Sequence, residues 1–195
     1  MSQGSKKEKT RRVFWIAAII AVLLVAAGLF RGGYLIRQQK EAKKQAQDVL
    51  ETMRTLIPGL GEKKEGSGTT GRDPLVTLSV DDHDIVGCLE IPALDIMAPV
   101  LTKKSRQEYF VTWKSGSPVK GKLRLQGGRK DVFRDLSKAN PGDKVIFTDI
   151  DGVRYAYTVT TQYHLKDWAK ADNDLMLCYT VDEKTDFVLG CTYDY

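Results

Sequence analysis

The sequence predicts a mainly β domain, a small closed or half-open barrel of about seven strands with one or two short helices, carried on an N-terminal membrane anchor. Three observations predict it. Seven short apolar or alternating runs recur between turn signals from 84 to 193. The stretch Val13 to Phe30 contains neither charge nor proline. A chain of 195 residues allows one ordinary domain plus appendages.

The elements follow in order. Residues 1–12 form a basic tail in which Lys6, Lys7, Lys9, Arg11 and Arg12 outnumber Glu8. As a helix, 13–30 would span about 27 Å, close to the ~30 Å hydrocarbon core of a bilayer. Trp15 near one end and Tyr34 beyond the other suit interfacial anchoring. The apolar run passes directly into Leu29-Phe30 and an Arg-rich segment with no cleavage-type site, so a retained single-pass anchor is expected. The basic tail favours a cytoplasmic N-terminus and an extracellular C-terminal domain. Residues 31–57 are rich in helix formers, with Val49, Leu50, Met53 and Leu56 at apolar positions, and predict a membrane-proximal helical spacer. Pro58 ends it, and the Gly-rich polar stretch 58–74 reads as a flexible linker. The folded domain is expected over 75–195.

Its strands are read at 84–92, 94–101, 121–127, 143–150, 154–165, 174–180 and 186–193. Asp151-Gly152 between two of them is a strong hairpin signal. Val132, Phe133 and Leu136 show helical spacing before an Asn-Pro-Gly-Asp turn. Composition narrows the function classes. The net charge of +5 is concentrated at the membrane end, which makes a nucleic-acid partner a poor reading. Three cysteines and two histidines offer neither a disulfide framework nor zinc spacing, and no glycine loop cradles a phosphate. No cofactor or metal is predicted.

The order of the pieces carries a resemblance. IVGCLEIPALDIMAPVL resembles a Gly-x-Leu-x-Ile-Pro, short gap, Pro-Val opening. FRDLSKANPGDKVIFTDIDGVRYAYTV resembles a Phe-x-x-Leu, Pro-Gly-Asp, Asp-Gly, Tyr-x-Tyr-x-Val stretch. DNDLMLCYT and DFVLGC fall where a nucleophile strand and a last strand would lie. Together they resemble the sortase family, with small class B or class D-like members the nearest in pattern. The resemblance implies a closed sortase-like β-barrel of about seven to eight strands on a Gram-positive-type cell envelope. It also implies cysteine transpeptidase chemistry, in which a sorting signal is cleaved and joined to an amine on the cell wall or a pilin.

That chemistry needs a thiolate, a histidine acid/base and an arginine facing the oxyanion. The family's Ala-Gly-His stands here as Gln126-Gly127-Gly128, so Gly128 takes the histidine's place. The arginine should open the last strand, where Asp186-Phe187 stands. An aspartate there repels a thiolate and an oxyanion alike. The nucleophile position falls on Cys178 or, in an ungapped alternative, on Thr180. Residues two apart on a strand share a face, so either would look the same way. The blander reading of Cys178 is a buried small hydrophobe.

His83 and His164 are read as solvated or structural, with His164 or another group as the base if the enzyme is active. Cys88 and Cys191 are read as packing residues, although a Cys178–Cys191 bridge would follow if their strands were neighbours. Met97, Phe110, Trp113, Tyr155, Tyr157 and Trp168 read as core or groove lining. Lys103-Lys104 and Arg129-Lys130 read as solvated charge. The expectation is therefore a family member with lost catalysis that binds a peptide, pilin or cell-wall partner. An active enzyme using Cys178 and a purely structural envelope domain are the alternatives.

Overall fold

Apolar alternation turns one face of each strand inward, and the computed structural model shows where those faces meet. It describes residues 40–57, 60, 73–80, 82–103, 109–166 and 171–194. The tail 1–12, the span 13–30 and most of the linker 58–74 lie outside the described residues. So do 31–39, Lys104 and Trp168.

Nine strands form one sheet. They are β1 (Leu78–Val80), β2 (His83–Ile91), β3 (Ile96–Leu101), β4 (Val111–Ser117), β5 (Gly121–Gln126), β6 (Lys144–Asp149), β7 (Arg154–Leu165), β8 (Leu175–Asp182) and β9 (Thr185–Tyr193). The strand order is β1-β2-β3-β4-β5-β8-β9-β7-β6, and β6 also pairs with β2, the strand next to β1. All neighbours are antiparallel except β3–β4 and β5–β8. The seven expected runs all become strands; β1 and β4 are additional. β1 is only three residues long. β4 is broken by two register shifts and by Gly116 at φ 79°, which hides any period of two. The helix expected around 132–136 shrinks to a single 3-10 turn, Leu136–Lys138, ahead of the Pro141-Gly142 turn.

Leu89, Val100, Leu125, Phe147, Leu177 and Leu189 lie in the main core. A second cluster sits under helix α1 (40–56), where Ala46, Val49, Met53 and Ile57 cover Ile85, Cys88 and Leu101. This helix belongs to the compact unit, which runs from Ala42 to Tyr195 and so begins upstream of the expected boundary near residue 75. Its buried stripe includes Val49 and Met53 as expected, but Leu56 is 54% exposed and Ala46 and Ile57 replace it. Burying a side chain such as Met53 contributes about 1.5–3 kcal/mol. Two points fix the linker's ends: Leu60 packs in the cluster under α1, and Asp73 forms an ion pair with Lys120.

The β6–β7 hairpin turns at the Asp151-Gly152 signal. Asp149 accepts hydrogen bonds from the Asp151 and Val153 amides at 3.0 and 2.9 Å. Burial pushes the Asp149 carboxyl pKa upward, and these bonds oppose the shift.

Candidate functional site

β8 alternates between two environments. Leu175, Leu177 and Tyr179 enter the main core, whereas Met176 and Cys178 point to the outward face and pack with Val188 of β9. On that face the rows across the sheet can be read from the register. Gln126 of β5 pairs with Cys178, which pairs with Val188, which pairs with Tyr163 of β7. One row further along, Thr180 pairs with Asp186, and Asp186 pairs with Leu165. The Gly127 amide donates to the Cys178 carbonyl at 3.0 Å, which extends the β5–β8 ladder to the end of β5.

Cys178 and Thr180 therefore share a face, as their spacing requires, but they differ in access. Cys178 is fully buried beneath Tyr163, Leu165 and Ala171, while Thr180 is exposed. Burial, followed by the Asp186 carboxylate, pushes the Cys178 thiol up to about 12, with Lys114 offsetting part of the shift. Roughly one molecule in 10⁵ then carries the thiolate at pH 7, against a few per cent for an ordinary cysteine.

Gly128 continues the outward face beyond Gln126. A Cβ placed on it would come 2.5 Å from Asp131 Oδ2, so a larger residue there would have to displace that carboxylate. Gly127 faces the other way, where a Cβ would run into the Phe133 ring. Asp186 is half-buried on the outward face, whereas Phe187 is 1% exposed and belongs to the core. Of the two residues at the arginine position, only Asp186 meets the candidate site.

The histidines stand elsewhere. β7 carries a bulge between Val159 and Thr161, which reverses its facing. Before it, Tyr155, Tyr157 and Val159 point to the core; after it, Tyr163 and Leu165 turn outward over Cys178. His164 consequently lies on the face opposite Cys178, edge-on to Phe187 with centroids 5.4 Å apart. The substitute-base reading of His164 fails on this geometry. His83 packs against Phe110 at 4.9 Å, at the cluster under α1.

All three cysteines are free and buried. Cys191 pairs with Leu175 and faces the core, three residues along and one face away from Cys178, so no bridge joins them. Burial is also the first cause raising the Cys88 and Cys191 thiols, the latter to about 12. Phe110, Tyr155 and Tyr157 are core residues, and Trp113 and Met97 pack against the clusters. Lys103 is exposed. Arg129 is more than solvated charge: its Nη1 donates to the Val181 carbonyl at 3.3 Å, and its guanidinium lies 6.0 Å from the Tyr179 ring centroid. Arg129 and Asp131 sit in an irregular loop, where no periodic signal marks them. Among the described residues no group of three His, Cys, Asp or Glu is placed to hold a metal ion.

A separate cleft of about 620 Å³ lies between α1 and the loop after β5, with Arg54, Met97, Tyr109 and Asp131 among its walls.

A family model described as Sortase domain matches residues 89–188. Among solved structures, the chain is similar to sortase C1 of Streptococcus agalactiae, with 20% identity, 60% of this chain on 72% of that one, and a TM-score of 0.51. It is similar to sortase A of Corynebacterium diphtheriae at 13% identity, covering 82% of this chain and 92% of that one with a TM-score of 0.50. A Clostridium perfringens sortase D5 transpeptidase gives 13% identity over 57% and 80% of the two chains, with a TM-score of 0.50. At these identities the likeness is one of fold. No curated protein matches.

Proposed function

Because the chain belongs to the sortase family, we propose that it is a catalytically impaired member, tethered by the apolar span 13–30, whose outward groove binds peptide in an accessory role. In this reading the N-terminus is cytoplasmic and the domain extracellular. The meeting of β6 with β2 supports the closed barrel that the family resemblance implies.

The state of Cys178 carries the proposal. The thiol is buried and pushed up to about 12, burial being the first cause and the Asp186 carboxylate the second, with Lys114 offsetting only part of the shift. No imidazole shares that face among the described residues. Losing an oxyanion donor costs ~100–1,000-fold in rate, and losing the acid/base costs ~100–10,000-fold, although the two are not additive. Either loss would leave little turnover.

The active-transpeptidase reading has one observation in its favour, the placement of Cys178 on the outward face between Gln126 and Val188. One experiment separates the two readings. The full chain in detergent micelles is given a sorting-signal peptide and an amine acceptor, and in parallel a thiol-alkylating reagent under native and denaturing conditions. The impaired reading expects no cleavage or transfer, and labelling of Cys178 only after denaturation. Cleavage or amine transfer that disappears in Cys178→Ala would overturn it.

A further inference from the structure

The cleft beside α1 opens where the sheet splits. β3 pairs with β2 from Ile96 to Leu101, but with β4 only at Val100 and Leu101. β4 starts at Val111 and runs parallel to β3, so it leads away from the start of β3. Tyr109, at φ 94°, turns the chain out of the line of β4. The edge of β3 from Ile96 to Pro99 therefore has no strand on its β4 side among the described residues. β5 runs antiparallel to β4, and the chain beyond Gln126 passes the start of β4 to supply Asp131 and Val132 to the far wall. β3 and β5 lie two strand spacings apart across β4, about 10 Å, so the slot ahead of Val111 has the width of one strand.

The walls match an extended chain. Ile96 and Met97 are successive in β3, yet both line the cleft. Successive strand side chains face opposite ways, so the wall there is the backbone edge of the strand. Ile96 accordingly packs with the main core and Met97 with the cluster under α1. On the helix side Lys43, Gln47, Leu50 and Arg54 form one stripe, about 16 Å long, which equals about five residues of strand. Acidic and basic residues line the cleft in near balance, Glu51, Asp95, Asp131 and Asp135 against Lys43, Arg54 and Arg134, so net charge selects little. What the slot offers is an unpaired strand edge, a template for another strand, with apolar side chains on either side of it.

We propose that this cleft takes an extended peptide of about five residues as an added strand on the β3 edge, a site separate from the Cys178 face. The peptide main chain pairs with β3 at Ile96–Ala98. Its side chains are apolar in alternation, one set turned with Ile96 towards Val132 and the core, the other turned with Met97 towards Leu50 of α1.

The full chain in detergent micelles would be panned with a phage-displayed random heptapeptide library, after depletion on empty micelles, and one enriched peptide synthesised. Its binding should slow amide hydrogen exchange at 96–98. It should also weaken about tenfold in Leu50→Glu, which places a charge on the apolar helix wall. Slowed exchange at 176–188 in place of 96–98 would overturn the inference and leave peptide binding on the outward face standing. An unchanged affinity in Leu50→Glu would overturn it as well, and retention of no peptide would overturn both sites. Should Leu50→Glu fail to fold by circular dichroism, the exchange footprint on the unaltered chain decides.

Discussion

Gly127 shows how a single missing side chain places the candidate site. Its amide reaches the Cys178 carbonyl while Phe133 packs where a Cβ would be, so the β5 end lies tight against both β8 and the core. Gly127→Ala should destabilise the protein by about 1–3 kcal/mol through overpacking. In a thermal melt that lowers Tm by several degrees; an unchanged Tm would mean that Phe133 moves aside without cost. At the same scale, Cys178 and Thr180 are two residues apart and point the same way, yet one is sealed and the other open. The difference comes from what covers them: Tyr163 and Leu165 lie above the thiol only because the β7 bulge has reversed their facing.

Among elements, helix α1 has the clearest energetic role. Its stripe of Ala46, Val49, Met53 and Ile57 turns what reads as a spacer into a lid over β2 and β3, with Cys88 sealed beneath it. Met53 is fully buried. Truncating it to alanine should cost about 2–5 kcal/mol and speed native alkylation of Cys88 relative to Cys178 and Cys191. Equal acceleration of all three thiols would show that the domain opens as a whole rather than by release of the helix.

At the scale of the whole molecule, three thiols are buried in three separate places, Cys191 in the main core, Cys88 under α1 and Cys178 on the outward face, and burial is the main cause raising the pKa of each. Each thiol is neutral in the folded state, whereas in the unfolded chain it ionises near the ordinary cysteine value of about 9.0. Its contribution is therefore complete below about pH 9 and is lost as pH rises towards the folded value, at up to about 1.4 kcal/mol per pH unit for each thiol. Set against a total stability of about 5–15 kcal/mol, this predicts cooperative unfolding before pH 12, followed by circular dichroism. Replacing Cys178 and Cys191 by alanine would flatten that alkaline dependence even if stability at neutral pH fell. A dependence as steep as before would place its origin in Tyr155 and Tyr157, which burial also raises.

The sequence by itself determined the mainly β class, seven of the nine strands, the β6–β7 hairpin and the family. These are legible because alternation, turn dipeptides and motif order are local properties of the chain. It also placed Gly128, Cys178, Thr180 and Asp186 as the positions to inspect. Only the tertiary structure decided that Cys178 is covered, that His164 faces away from it, and that Cys191 lies on the opposite face. The bulge in β7 that settles the facing of His164 leaves no mark in the hydrophobic pattern, because one extra residue shifts the period without changing its composition. Asp131 was illegible for a related reason: it sits in an irregular loop, and its place beside Gly128 depends on a chain path that no periodicity encodes.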